Sequence, residues 1–404
     1  MQTAGSESSS ISEKHFNRYL HYAASVIDSY KGNESFHFHL KKYFSINKKH
    51  GSRDRKLITS LCYDYFRLGL GVSKQTGFRE KFLLSSFLCE TNSLFLPEFF
   101  KPERPAAIPL RLNEKLTIAE KEFDAAKIFP FPEELSNEIN CQQFNLSFLI
   151  QPKLFIRVRP GFSDIVINKI KNAGFLFEEL AGSCLAFANN EKVSNIIDID
   201  KEAVVQDYNS QRTLNIVKQE IKNRGSAISV WDCCAGSGGK SILSFDIFAN
   251  INLTVSDNRK NILESLRLRF GRAGIMNYKL VLADLQLSSA SGFLAEPFDL
   301  IIADVPCTGS GTWSRTPEQL TFFRKKNIDT YVALQRKIIE NAVLHLGAHG
   351  FFLYVTCSVF KKENEENVAF IQQKFQLNLL AMEYLKGYEI QADTLFVALF
   401  KPPV

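Results

Sequence analysis

The spacing of apolar positions changes three times along the chain. Between residues 11 and 75 they recur every three to four residues: Tyr19, Tyr22, Ala23, Val26 and Ile27, then Leu57, Leu61, Tyr65 and Leu68. That spacing predicts amphipathic helices. Residues 76–138 show no clean period. Phe131-Pro-Glu-Glu-Leu135 has the form of a helix start with Pro132 at its first position, and Pro102, Pro105, Pro130 and Pro132 place a boundary near 130–140. From 152 to 205 the runs shorten. Leu154–Val158 predicts a strand, and Ser163–Ala173 a helix with Ile165, Val166, Ile170 and Ala173 on one side and Gly174 as its stop. Apolar runs at 184–187 and 196–199 complete a small α+β unit.

The last two hundred residues alternate apolar strand-like runs with helical stretches. Strands are expected at Ile228–Cys233, Leu253–Ser256, Leu280–Leu282, Leu300–Ala303, Phe351–Val355 and Leu395–Phe400. Helices are expected around 240–249, 259–271, 331–346 and 364–374, the third carrying Leu334, Ile338, Ala342 and Leu346 at steps of four. Alternation of this kind predicts an α/β fold, a mostly parallel sheet with helices on both faces. The expected domains are 1–138, helical; 139–205, small α+β; and 206–404, α/β.

Composition adds a few limits. Among 404 residues, 45% are hydrophobic and 23% charged, ordinary for a soluble globular protein. The net charge of +6 suits a nucleic-acid partner without requiring one. No apolar run reaches eighteen residues, so no membrane span is expected. Met1–Ser10 lacks the basic segment and apolar core of an export signal, and the eight cysteines form no disulfide framework, so reduced thiols in a cytoplasm are expected. Cys233 and Cys234 have no second pair at zinc-ligand spacing, and no metal is expected. Lys41, Lys42, Lys48, Lys49, His50, Arg53, Arg55 and Lys56 make a basic segment that reads either as a solvated face or as a phosphate-contacting surface.

Chemistry concentrates at strand ends. The first α/β strand runs into Asp232-Cys-Cys-Ala-Gly-Ser-Gly-Gly-Lys-Ser241. A phosphate-binding GxxxxGK[ST] loop needs glycine where Cys234 stands, and a GxGxxG dinucleotide fingerprint needs it where Ser241 stands. What remains is the looser glycine loop of a Rossmann-like sheet that binds S-adenosylmethionine. Asp257, Asp284 and Asp304 each close a strand, Asp257 where an acid holds ribose hydroxyls and Asp284 where one reaches an adenine amino group. Acids also follow strands as helix caps, so each is weak alone. Asp304 leads into Val-Pro-Cys307-Thr-Gly-Ser-Gly-Thr-Trp313, and a further strand ends in Tyr354-Val-Thr-Cys357-Ser. Two cysteines at adjacent strand ends suit thiol chemistry, and equally two buried core cysteines.

Asp304–Trp313, Thr316-Pro-Glu318, Thr356-Cys-Ser358, Glu365-Glu-Asn367, Cys233–Lys240, Gln206-Asp207, Ser210-Gln211 and Gln335-Arg336 together resemble motifs of the RsmB/Nop/Sun family of RNA cytosine-5 methyltransferases, in order over roughly residues 150–400. Arg53-Asp-Arg55 and Leu57–Arg67 resemble part of the NusB-like helical domain of its 16S ribosomal RNA branch. The resemblance implies a Rossmann-like catalytic domain, a small α+β domain and an all-α NusB-like RNA-binding domain.

It also implies roles. Cys357 adds to carbon 6 of cytosine, Asp304 holds the base, and Cys307 helps remove the proton from carbon 5. S-adenosylmethionine lies against Cys234, Ala235, Gly236, Ser237, Gly238, Gly239, Lys240, Asp257, Asp284 and Asp304. Lys240 belongs to the same pocket with no assigned role. The expected substrate is 16S ribosomal RNA, with transfer RNA, DNA (which would make Cys307 the nucleophile) or a non-catalytic RNA-binding assembly factor as rivals. A cytoplasmic monomer is expected. Arg324, Lys325 and Lys326 read equally as groups that guide the RNA backbone and as a solvated face. Three positions depart from the family pattern: Gly236-Ser237 for Ala-Pro, which predicts a more flexible loop; Arg159 for an asparagine; and Asp393-Thr-Leu-Phe396 for Asp-Gly-Phe-Phe.

Overall fold

The computed structural model describes residues 13–89, 110–222, 227–248, 250–287 and 297–403. Pro102 and Pro105 lie outside them. The chain forms two compact units, one of residues up to 132 with 140–151 and 313–324, the other of 133–139, 152–312 and 325–404.

In the first unit the helical spacing becomes helices Glu13–Ser29, Phe36–Ile46 and Ser52–Arg67, with Phe78–Cys89, Leu112–Ala119 and Cys141–Ser147 added from less periodic sequence. The first three bury Ala23, Val26, Phe36, Leu40, Leu57, Ile58 and Leu61 against one another. Ser35 caps the second helix by accepting from the Phe38 N–H. Segment 313–324 joins this core: the Phe322 ring stands edge-on to Tyr30 at 4.9 Å, and Glu318 accepts from the Phe36 N–H at 3.4 Å. Buried Arg67 donates to the Phe148 carbonyl at 2.9 Å and to Gln151 at 3.0 Å, tying helix Ser52–Arg67 to the segment after helix Cys141–Ser147. His50, part of the basic segment, is buried, and burial pushes its imidazole pKa down; it is no phosphate contact.

The second unit holds two sheets. The smaller is antiparallel: β1 (Leu154–Val158), β2 (Glu178–Leu180), β3 (Cys184–Phe187) and β4 (Ala203–Val205) lie in the order β2-β3-β1-β4. Helix Ser163–Asn172 packs Val166 and Ile170 on Ile156, Val158 and Leu185. Ile165, expected on that side, is exposed. Gly174 follows the helix in the left-handed region, as expected of a stop.

The larger sheet contains β5 (Ile228–Asp232), β6 (Ile251–Asp257), β7 (Tyr278–Leu282), β8 (Phe298–Asp304), β9 (Leu346–Thr356), β10 (Asn378–Leu385) and β11 (Leu395–Lys401), in the order β10-β11-β9-β8-β5-β6-β7. Strands β5 to β9 are mutually parallel and β11 runs against its neighbours. This is the Rossmann-like α/β fold. Three expectations shift. The helix before β9 is Asn327–Val343, and Leu346 opens the strand. Pro132 begins a single 3-10 turn, Pro132–Glu134, after which Leu135 bridges to Phe360. Strand β10 was not expected, because most of its residues are exposed and its sequence lacks a strict alternation.

The parallel register decides the rest. Asp232 pairs with Val255 of β6 and Ile302 of β8, Asp257 with Leu282, and Asp304 with Val355. The carboxyl ends of five strands therefore lie level at one edge of the sheet, the edge where such folds take ligands.

Candidate active site

A cavity of about 720 Å³ opens at this edge. Its wall carries Asp304 at the end of β8, Cys307 from the loop that follows, Cys357 after β9, Asp257 at the end of β6, Asp284 after β7, Cys234, Ala235, Gly236 and Ser237 from the loop after β5, and Gly239 and Lys240 from the start of the next helix. Residues more than a hundred positions apart are thus brought together, and of those expected, Gly238 alone is not on the wall. Gly238 serves the backbone. Its φ is +86°, and an added Cβ would stand 2.7 Å from the Phe270 ring.

Helix Gly239–Ile247 starts directly after it. The Gly236-Ser237 loop carries hydrogen bonds to its neighbours. The Gly236 N–H donates to Asp257 at 3.0 Å, and Arg269 donates to both the Ser237 carbonyl and hydroxyl at 3.0 Å.

Asp257 is heavily engaged. Arg259 donates to it from the backbone N–H at 3.0 Å, from Nε at 2.8 Å and from Nη2 at 2.9 Å. Burial works to raise the Asp257 pKa, but Arg259 and the Gly236 N–H outweigh it and hold the carboxyl below its usual range.

Lys240 has a partner that the sequence did not disclose. Its Nζ lies 2.6 Å from Asp304 Oδ2. Burial disfavours the ammonium, yet Asp304 and then Asp232 more than offset it, so the lysine pKa is raised. Asp232 lies deeper. Ser241 donates to its Oδ2 at 2.6 Å, its Oδ1 has no partner among the described residues, and burial pushes the carboxyl up to about 7.

The two cysteines meet. Cys307 Sγ and Cys357 Sγ are 3.2 Å apart, and the Cys357 N–H donates to Cys307 Sγ at 3.3 Å. The neighbouring Cys357 sulfur, and then burial, push the Cys307 thiol well up.

The loops bearing the cysteines are stitched by a residue the sequence did not single out. Glu363 is fully buried and accepts from Thr308 N at 2.9 Å, Thr308 Oγ1 at 2.5 Å, Gln335 Nε2 at 2.7 Å and Ser358 Oγ. Gln335 also donates to the Pro306 carbonyl at 3.1 Å. Gly311 donates to the Cys357 carbonyl at 2.9 Å, and a Cβ there would lie 2.0 Å from the Thr394 carbonyl oxygen.

The remaining departures find structural uses. Arg159 is buried with its guanidinium on Asp246, at 2.8 Å, and on the Ala273 carbonyl, at 2.8 Å. Asp393 lines the cavity, and its N–H donates to Asp207 at 2.9 Å. Of the basic triplet, Lys325 is paired with Glu133 and Glu134. Among the described residues no group of side chains is arranged to hold a metal ion, and no helix is long and apolar enough to cross a membrane.

Residues 219–400 match the family described as 16S rRNA methyltransferase RsmB/F. Ribosomal RNA small subunit methyltransferase B of Xanthomonas campestris pv. campestris is 34% identical over 149 residues, 36% of this chain and 34% of that protein. The human tRNA (cytosine(72)-C(5))-methyltransferase NSUN6 is 32% identical over 157 residues, 36% of this chain and 33% of that one. The chain thus matches only about a third of the length of these curated relatives.

Two solved structures share the fold. PH0851 has a TM-score of 0.68 at 16% identity, covering 95% of this chain and 97% of its own. NSun6 from Pyrococcus horikoshii with SFG has a TM-score of 0.57 at 16% identity, covering 67% and 96%. Residues 219–400, less than half of the chain, thus resemble the RsmB/F methyltransferases, and both cysteines and the Lys240–Asp304 pair lie within them.

Proposed function

We propose that this protein is an S-adenosylmethionine-dependent methyltransferase acting on carbon 5 of a cytosine in small-subunit ribosomal RNA, through a covalent adduct with Cys357. The observation that carries this reading is the meeting of two thiols, 3.2 Å apart, on the wall that also holds the Lys240–Asp304 pair.

The cavity fits the cofactor. Five aspartates (207, 257, 284, 304 and 393) line it against Lys240, Arg259 and Arg269, an excess of negative charge suited to a sulfonium cation. Backbone around Cys234–Gly239 lies open to a ligand beside a helix start. S-adenosylmethionine, when bound, supplies the methyl group.

The chain's own residues supply the rest. The Cys357 thiolate adds to carbon 6, opening the 5,6 double bond and making carbon 5 electron-rich. Asp304, held by Lys240, accepts a hydrogen bond from the exocyclic amino group of the cytosine and holds the base, while the Lys240 ammonium beside it faces the negative charge that develops on the ring. Cys307 is kept protonated by the sulfur beside it. Once Cys357 is bonded to carbon, that sulfur no longer holds the Cys307 proton in place, and Cys307 gives it to solvent. It then takes the proton from carbon 5, the S–C6 bond breaks, and the double bond is restored. The target base must leave its stack to reach these groups, so a single-stranded or flipped cytosine is the substrate form.

The family match favours ribosomal RNA, and transfer RNA is the second reading, supported by the similarity to NSUN6. The helical N-terminal residues, with Lys41, Lys48, Arg53 and Lys56 exposed, are the RNA-binding part of this proposal.

Substituting the thiols tests it. Cys307→Ala should accumulate a protein–RNA complex that survives a denaturing gel, and Cys357→Ala should form none. The opposite pattern would exchange the two roles. Absence of any heat on titrating S-adenosylmethionine would leave a non-catalytic RNA-binding factor. Bisulfite mapping of ribosomal and transfer RNA in a deletion strain names the nucleotide.

A further inference from the structure

A second cavity, of about 480 Å³, lies on the same unit and takes no part in the reaction derived above. The turn Tyr208–Arg212 walls both: Ser210 lines the first cavity, while Tyr208, Gln211 and Arg212 line the second. Their charges are opposite. Against the acidic first cavity, the second presents Arg157, Arg159, Arg212 and Lys218 with Asp246 as its one carboxylate.

That carboxylate is already taken, by Arg157 Nη1 at 2.5 Å and by Arg159 Nη2 and Nε at 2.8 and 3.1 Å. Arg212 stacks on Tyr208 and reaches Glu383 at only 3.9 Å, and Lys218 has no ion pair among the described residues.

Two wall residues are more than nine-tenths buried yet keep an unpartnered polar atom: Arg157 Nη2 and Gln211 Oε1. Buried donors and acceptors are normally satisfied, so this wall marks a place for a ligand that offers an acceptor to Arg157 Nη2 and a donor, such as a ribose hydroxyl, to Gln211 Oε1. The excess of cations makes that ligand an anion. A further hollow of about 430 Å³ shares Arg159, Pro160 and Asp246 with this cavity and adds Lys201, 4.0 Å from Asp198, and Arg272, 3.3 Å from Asp200, both more than half exposed. A basic surface running through two adjoining hollows suits an extended polyanion better than a single small anion.

We propose that the cavity beside Tyr208–Arg212 seats a backbone phosphate of the same RNA strand whose cytosine enters the first cavity. The proposal rests on the reading of the protein as an RNA methyltransferase. Phosphate contacts of this kind fix the register of the strand without reading its sequence.

The test uses the full chain and a short fluorescein-labelled single-stranded RNA, with affinity followed by anisotropy across a salt series. Arg212→Gln/Lys218→Gln should weaken binding on the order of tenfold at low salt and lower the slope of log affinity against log salt by about 1.4, and Lys218→Gln alone by about half of that. The heat of S-adenosylmethionine binding should not change, which also shows that the variants are folded. Unaltered affinity and slope in both variants would overturn the proposal. So would inorganic phosphate binding that the double variant abolishes while RNA affinity holds, since the cavity would then belong to a free anion. A wild-type chain that binds the RNA with the expected salt slopes but methylates no RNA would sink the enzymatic reading and keep the phosphate seat. A wild-type chain that binds no RNA overturns the seat itself.

Discussion

Lys240 and Asp304, 64 positions apart, form an ion pair of 2.6 Å on the wall of the candidate active site. The lysine side chain is 9% exposed and the aspartate 34%. Removing one partner of such a pair strands the other. Asp304→Asn should destabilise the domain by roughly 2 kcal/mol, below the usual range for buried pairs because Asp304 is partly hydrated and Asp232 still faces the ammonium. Lys240→Met combined with Asp304→Asn should recover part of the loss. Urea unfolding of Asp304→Asn, Lys240→Met and the double variant closes the cycle, and strict additivity would show that the pair is not coupled.

Glu363 holds the two cysteine loops together through Thr308 and Ser358, without itself lining the cavity. Glu363→Ala leaves several buried donors without an acceptor, at a cost on the order of 3 kcal/mol. Displacing the thiols by about 1 Å should lower methyl transfer on the order of a hundredfold. Glu363→Gln, which keeps one accepting oxygen, should fall between. S-adenosylmethionine affinity should hold in both, so a glutamine variant that lost cofactor binding would count against a purely positioning role.

The parts of the site legible in the sequence are those carried by local pattern. Strands β5, β6 and β8 are apolar runs that end in an acid, so Asp232, Asp257 and Asp304 could be placed at a sheet edge before any coordinates. The Lys240–Asp304 pair could not be, because it exists only once β5 and β8 lie side by side. Glu363 was hidden by its neighbours. Between Lys361, Lys362 and Glu365 it reads as part of a solvated charge run, and the 3-10 turn Lys361–Glu363 leaves it buried. Leu346 kept a helical step of four yet begins a strand, a limit of periodicity at element ends. Strand β10 escaped because six of its eight residues are not buried, so the alternation that marks a half-buried strand is missing.

Arg259 occupies the carboxylate proposed to hold the ribose. Its side chain is 58% exposed, so releasing Asp257 costs no more than about 1 kcal/mol. Ribose hydroxyls must compete with it for both oxygens. Arg259→Ala should therefore tighten S-adenosylmethionine binding by up to about fivefold in calorimetry, most at low salt. A marked loss of affinity would mean that the guanidinium contacts the ligand.

Asp232 makes the stability of this domain depend on pH in an uncommon direction. Its carboxyl, ordinarily near 3.8, is pushed up to about 7 by burial, against which the Ser241 hydrogen bond counts for less. Between about pH 4 and 7 the folded chain therefore keeps a proton that the unfolded chain has released. The folded state binds more protons there, so stability falls as pH rises through this window and levels off above it. The contribution is a few kcal/mol, in keeping with a raised carboxyl that has one oxygen without a partner among the described residues. Asp232→Asn preserves shape and an acceptor for Ser241 but cannot ionise. Near pH 4 it should match the wild type, and by pH 8 it should unfold at a distinctly higher urea concentration. Parallel curves for the two proteins from pH 4 to 8 would show that Asp232 ionises alike in both states and that its burial carries no such cost.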